Sequence, residues 1–378
     1  MSVSLTTAAA RTSDVAPTTA MITGVAGTTL TPDERSFLAR HRPAGLILFR
    51  RNCETPAQLR ALVEAFRDAC GADILVLVDQ EGGRVQRLRP PGWRRLPPAA
   101  ALARAYEADA PTALRLARDL GRLMAHELRR DGINVNCVPV LDVPVAGAHN
   151  IIGTRALGRS TQAIIALGRA LAEAHLEQNV LPVIKHVPGH GRAMVDSHVA
   201  LPRVDASRAT LEAQDFVPFA ALNTLPIAMT AHIVYAALDP ERPATQSPLV
   251  IADVVRGQLA FEGLLLSDDI SMKALAGDLT SRTGAARAAG CDIVLHCNGE
   301  LDEMHEVAAG AGLLRDASLA RYAHARQLAH QADEARKALR GDDEAALIAA
   351  GEEAIEALAS YETTAVAQAG AEPSVGPA

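Results

Sequence analysis

The stretch ILVLVDQEGGR, residues 74–84, runs five uninterrupted apolar residues into Asp79 and Glu81 and, past a pair of glycines, Arg84. An apolar run without polar alternation is what a parallel strand covered on both faces requires. The same pattern recurs along the chain, at Met21–Val25, Gly45–Phe49, Ile133–Cys137, Val180–Ile184, Ile227–His232, Gly263–Leu266 and Asp292–Leu295. Amphipathic stretches lie between these runs, among them Pro56–Ala69, Pro111–Arg130, Thr161–Gln178 and Ala206–Ala221. Eight strands alternating with helices predict an α/β fold, a closed (β/α)8 TIM-type barrel. The competitor, an open doubly wound sheet binding a dinucleotide, lacks its GxGxxG after the first strand.

A barrel of this kind carries its chemistry where strands end and loops begin. Ionisable residues crowd there. Strand three delivers Asp79, strand five runs LPVI into Lys185-His186, strand six ends at His232, and GLLL leads into Ser267-Asp268-Asp269. Between Lys185 and His198 the chain reads KHVPGHGRAMVDSH, a shaped loop because Pro188, Gly189 and Gly191 exclude a regular helix. Asp196 stands two residues from His198, so its carboxylate can orient the imidazole and stabilise its protonated form. A strand-end carboxylate paired with a proton donor on a glycine-rich loop is the plan of a retaining glycosidase. The residues alone leave the nucleophile open between Asp268 and Asp269. A metal-dependent hydrolase using His186, His190, Asp196 and His198 is the alternative, and a non-catalytic amino-sugar binding protein is another. Lys185 beside His186 would repel a cation.

The 378 residues carry a net charge of −7, so no basic excess is available for nucleic acid. Mean hydropathy is +0.08, and no run of about 18 apolar residues suggests a membrane span. The start MSVSLTTAAARTSDVAPTTA has no charged n-region or apolar h-region of a secretory signal. Five cysteines, an odd number without a CxxC pair, predict thiols and a reducing, cytoplasmic setting. Aromatic residues make up only 3%, with Trp93 the single tryptophan, which suits a pocket for one terminal sugar better than a long polysaccharide groove. Residues 1–19 and 362–378 are expected to be disordered tails around a domain at 20–338. Leu301–Tyr361 reads as helix with a break at Gly341–Asp343, so 339–361 forms a helical appendage.

Seven motifs in order carry a family resemblance: ILFRRNCETPAQL from residue 47, VDQEGGRVQRL at 78–88, VNCVPVLDV at 135–143, IIGTRALGR at 151–159, IKHVPGHGRAMVDSH at 184–198, TAHIVYAALDP at 230–240 and LLLSDDISM at 264–272. The chain resembles the single-barrel β-N-acetylglucosaminidases of glycoside hydrolase family 3 that act in bacterial peptidoglycan recycling. The resemblance implies Asp268 as nucleophile, His198 as acid/base and Asp196 as its partner. It implies Asp79, Arg87, Arg155, Lys185 and His186 as the residues holding the N-acetylglucosamine hydroxyls. The implied substrate is N-acetylglucosamine linked β-1,4 to 1,6-anhydro-N-acetylmuramic acid, with or without peptide, and a monomer needing no cofactor or metal is expected. Val187 stands where the family commonly has Phe, and Ala156-Leu157 where it commonly has Ser-Phe; both are apolar changes beside the polar groups.

Overall fold

A computed structural model describes residues 16–71, 73–195, 197, 200–336 and 341–366. Twelve strands are formed: β1 Thr19–Thr23, β2 Pro43–Leu48, β3 Leu75–Val78, β4 Gln80–Gly82, β5 Val85–Gln86, β6 Val135–Asn136, β7 Leu181–Val187, β8 Arg203–Val204, β9 Ile227–Thr230, β10 Val234–Tyr235, β11 Leu264–Asp269 and β12 Ile293–His296. Eight of them close into a barrel in the order β1-β12-β11-β9-β7-β6-β3-β2, every neighbour parallel. All eight apolar runs read from the sequence supply one barrel strand each. The register places Leu46 beside Val76, Val78 beside Asn136, Lys185 beside Met229 and Leu266 beside Ile293, and it shifts within the β1–β2, β7–β9 and β11–β12 pairs. The apolar strand residues are buried because the barrel interior takes one face and the helices the other.

The helices are α1 Pro32–His41, α2 Pro56–Cys70, α3 Ala99–Ala108, α4 Ala110–Arg130, α5 Thr161–Glu177, α6 Arg208–Thr210, α7 Val217–Ala221, α8 Leu279–Ala289, α9 Leu301–Ala311, α10 Asp316–Arg336 and α11 Gly341–Val366. α2 shows why such a segment is helical. The Thr55 hydroxyl accepts from the Gln58 amide, Pro56 occupies the first turn, and Leu59, Leu62, Val63 and Phe66 line the buried face.

Several expectations are corrected. Ala206–Ala221 is not one helix but α6, a wide turn over Leu211–Asp215, and α7. Pro218 has no amide to donate and its ring crowds the preceding turn. The span Leu301–Tyr361 breaks first at Gly312, whose φ of +62° few residues but glycine adopt. The chain there turns back, so that Ala20 donates to the Gly312 carbonyl at 2.8 Å and Leu314 to the Thr18 carbonyl at 2.9 Å. Thr18 and Thr19 are therefore buried parts of the barrel, not tail. α11 begins at Gly341 and continues to Val366, past the expected end of the appendage at 361. It packs on α3 and α4, burying Ala354 and Leu358, with Glu352 paired to Arg94 at 2.6 Å. Residues 1–15 and 367–378 lie outside the described residues. All five cysteines are buried thiols, and no helix among the described residues is long and apolar enough to cross a membrane.

Asp292, just before β12, ties the wall together. Its carboxylate accepts from Arg256 at 2.8 Å, Arg321 at 3.0 Å, the Ser318 hydroxyl at 2.7 Å and the Leu265 amide at 2.9 Å. It thus joins β11, β12, α10 and the helical turns at Val250–Gln258. Asp292→Ala leaves two partly buried guanidinium groups without their anion, and should cost about 3 kcal/mol of unfolding free energy by urea titration. A loss under about 1 kcal/mol would show that the hub is dispensable.

Candidate active site

The site forms at the C-terminal rim of the barrel, where the short β4–β5 hairpin, the loop after β6 and the end of β7 meet. Lys185 projects from β7 with only 2% of its side chain exposed. Its ammonium lies 2.8 Å from Asp79 Oδ1 and 2.7 Å from Glu81 Oε1. Arg155, from the tight turn at Gly153–Arg155, forks onto both oxygens of Glu81 at 2.8 Å each. Arg87 of the strand-three loop reaches Asp79 Oδ2 at 3.3 Å and covers the Phe49 ring. Four of the expected residues, Asp79, Arg87, Arg155 and Lys185, are therefore one network. Glu81 is the link between them, and the sequence reading passed over it. Its signal was a second acid two residues beyond Asp79, at the end of the same apolar run.

Charge pairing outweighs burial in this network. Burial alone would raise the Glu81 carboxyl, yet Arg155 and Lys185 hold it down at about 2. Asp79 is likewise held well below the usual carboxylate range, against burial, by Lys185 and Arg87. Burial would lower the Lys185 ammonium, but Asp79 and Glu81 keep it above its ordinary value.

His186 turns to a different partner. Its Nδ1 is 2.7 Å from Asp142 Oδ2, while Asp142 Oδ1 accepts from the backbone amides of His186 at 3.1 Å and His190 at 2.6 Å. Asp142 is fully buried; despite that burial, His186 and His190 hold its carboxyl at about 2. It too was not singled out, although it directly follows the apolar run VPVL. The His190 ring packs edge-on against His186, with centroids 5.4 Å apart. The root of the loop that follows is pinned. Tyr235 donates to the Gly189 carbonyl at 2.8 Å, and a Cβ on Gly191 would stand 1.9 Å from the Val143 carbonyl oxygen. Asp196 and His198 lie outside the described residues.

Across the rim, β11 presents two adjacent acids in different settings. Asp269 is committed to the fold: its Oδ1 accepts from the Ser271 amide at 3.1 Å and the Cys297 amide at 3.2 Å, and its Oδ2 from the Ser271 hydroxyl at 2.8 Å. Burial pushes its carboxyl upward. The Asp268 carboxylate accepts from the Asp269 amide at 2.8 Å, and its charge reaches His190 and His232. His232 is a supporting residue, bonded through Nδ1 to the Thr245 hydroxyl at 2.7 Å and through Nε2 to the Asp269 carbonyl at 2.9 Å. Among the described residues no three His, Cys, Asp or Glu side chains converge as metal ligands. The alternative metal set drew on Asp196 and His198, which are not described. The rim can hold a polyhydroxylated ligand through paired charges, with the Asp268 carboxylate on a strand end.

Burial, then His186, depresses His190 to about 4, whereas an unfolded histidine titrates near 6.5. The folded protein therefore resists protonation at His190. Its stability should fall as pH drops from about 6.5 through 4, the unfolded chain taking the proton first. His190→Gln should lose about 3 kcal/mol less than the wild type across that window in urea titrations. Parallel losses would show that His190 is not the titrating group.

Residues 20–323 match the family described as glycosyl hydrolase family 3 N terminal domain. A protein named Beta-hexosaminidase from Alkalilimnicola ehrlichii is 44% identical over 282 residues, 74% of this chain and 80% of its own. Another of that name from Methylococcus capsulatus is 42% identical over 276 residues, 72% of this chain and 80% of its own. The crystal structure of NagZ from Neisseria gonorrhoeae in complex with N-trifluoroacetyl-D-glucosamine is similar throughout. Its TM-score is 0.80 at 32% identity, covering 91% of this chain and 98% of that one. The family match begins within β1 and ends inside α10, so it takes in the whole ring and every rim residue described above: the chain belongs to glycosyl hydrolase family 3 and is a glycoside hydrolase.

Proposed function

We propose that the chain is a retaining exo-β-N-acetylglucosaminidase that removes non-reducing terminal N-acetylglucosamine from peptidoglycan fragments, GlcNAc-1,6-anhydro-MurNAc with or without peptide. The observation that carries this reading is the division of labour at the rim. Asp79, Glu81, Arg87, Arg155 and Lys185 pair their charges in a fixed polar wall, while Asp268 lies on β11, its carboxylate accepting from the Asp269 amide. The names of the relatives, and the N-acylglucosamine in the Neisseria complex, support an amino sugar as the group held. The low aromatic content supports a one-sugar pocket.

In this mechanism Asp79, Arg87, Arg155, Lys185 and His186 hold the hydroxyls of the terminal sugar. The Asp268 carboxylate attacks the anomeric carbon as His198, oriented by Asp196, protonates the departing O4 of the muramic residue. The C–O bond to the aglycone breaks and a glycosyl ester on Asp268 forms. His198 then takes a proton from water, the water oxygen attacks the anomeric carbon, and the ester bond to Asp268 breaks with overall retention. The commitment of both Asp269 oxygens to Ser271 and Cys297 supports Asp268 over its neighbour for the attack. The enzyme is read as a cytoplasmic monomer, in keeping with its buried thiols.

Release of p-nitrophenol from its β-N-acetylglucosaminide in excess EDTA tests the activity, and the anomer first seen by NMR tests retention. An α product would overturn the covalent route, and a sugar phosphate formed in phosphate buffer would replace water as the acceptor. Asp268→Ala should lower kcat by at least about 10³-fold. His198→Ala should lower turnover of the muropeptide by about 10²–10⁴-fold but affect the phenolate substrate far less, since a phenolate leaves without a proton. Equal losses on the two substrates would remove His198 from the acid role.

A further inference from the structure

We propose that Asp142 is a positioning residue for the sugar pocket: it sets which nitrogen of His186 faces the ligand and couples that nitrogen to the root of the loop carrying Asp196 and His198. The assignment to the sugar rests on the proposed glycosidase reading; the assignment of the imidazole proton does not. No motif-based role falls on Asp142, and the hydrolytic mechanism does not use it.

A buried carboxylate needs strong reasons to stay ionised. Asp142 has three: the His186 imidazole at 2.7 Å, the His186 amide at 3.1 Å and the His190 amide at 2.6 Å. An ionised carboxylate only accepts hydrogen bonds, so the His186 Nδ1 facing Oδ2 must carry the proton. Nε2 is thereby left as the nitrogen available to the pocket, and the ring plane is held by a second bond from the same carboxylate to the residue's own backbone. Oδ1 adds the loop. By accepting from residues 186 and 190 together it closes the turn between β7 and Gly191, where the chain already packs against Val143 without room for a Cβ. Asp142 itself is positioned by the end of the VNCVPVLDV segment, whose Val140 pairs with Lys185 and whose Leu141 amide donates to the Lys185 carbonyl at 2.8 Å. The backbone that carries Lys185 therefore also places the carboxylate that orients its neighbour.

Asp142→Asn separates the two duties. The amide oxygen can still accept from the two backbone N–H groups, but the NH2 then faces Nδ1 and obliges the proton to move to Nε2. Nitrogen-15 NMR of histidine-labelled protein should show Nδ1 of His186 protonated in the wild type, and Nε2–H with bare Nδ1 in Asp142→Asn. The wild-type spectrum alone overturns the proposal if His186 is the neutral Nε2–H tautomer, even should the variant fail to fold. An unchanged tautomer in a folded variant overturns it as well.

For the sugar, calorimetric Kd for N-acetylglucosamine and KM for the p-nitrophenyl glycoside should rise about tenfold or more in Asp142→Asn, with kcat changed less. The same substitution in a His186→Ala background should change Kd by less than about twofold, because the residue that Asp142 acts through is gone. Equal losses in both backgrounds would mean that Asp142 only supports the fold, and would overturn the positioning role. A wild type that neither binds nor hydrolyses the sugar, with the Nδ1–H signal present, would refute the glycosidase reading and leave the proton assignment standing.

Discussion

An ammonium group buried between two carboxylates is the constraint around which the rim of this barrel is arranged. Removing an ion from water costs several kcal/mol, and that cost is offset only if its partners are close and have further partners of their own. Lys185 meets the requirement with Asp79 and Glu81, and each of those meets it with an arginine, Arg87 on one side and Arg155 on the other. The outcome is a polar wall whose two carboxylates are paired with three cations, one positive charge in excess, before any ligand arrives. Pre-paired charge of this kind exchanges hydrogen bonds with sugar hydroxyls at little reorganisation cost, which is what a site for a neutral, hydroxyl-rich molecule requires.

Each partner in that wall comes from a different place in the chain, so the network also records how the fold brings the rim together. Asp79 and Glu81 leave the end of β3, Arg87 follows β5, Arg155 sits on the turn before α5, and Lys185 lies in β7. The Glu81 fork holds the Arg155 turn against the β4–β5 hairpin, and Arg84 strengthens the same junction by donating to the Asn150 carbonyl at 3.0 Å. A second acid, Asp142, does for His186 what Glu81 does for Lys185. On the far side, Asp269 is occupied with Ser271 and Cys297, and the Asp268 carboxylate beside it accepts from the Asp269 amide. One pair of adjacent carboxylates thus has its two members in different settings. The Ser271 donors are local, but the Cys297 amide that completes the set comes from just beyond β12, and only the fold brings it there.

The barrel itself was legible. Continuous apolar runs cannot be surface strands, and their regular alternation with amphipathic stretches leaves few architectures. Misreadings fell where local pattern and tertiary pairing compete. Pro218 interrupts a stretch that reads as amphipathic helix, and the turn at Gly312 exists because the chain there pairs with Thr18 and Ala20, some 290 residues earlier by the numbering. The same pairing is what makes Thr18 and Thr19 part of the barrel. α11 reads as an appendage from its sequence because its docking face finds its match in α3 and α4, far earlier in the chain.

By itself the sequence determined the eight strands, the end of the barrel at which ionisable groups gather, and the identity of most of them, since apolar runs that stop at acids, lysine and histidine write both the fold and its rim in one dimension. The tertiary structure decided who pairs with whom. Glu81 and Asp142 matter because of what lies within 3 Å of them across the barrel, and residues so distant in the chain meet only when the ring of strands closes. Charge pairing in a buried site is a property of distances between strands, and those distances exist only in the folded molecule.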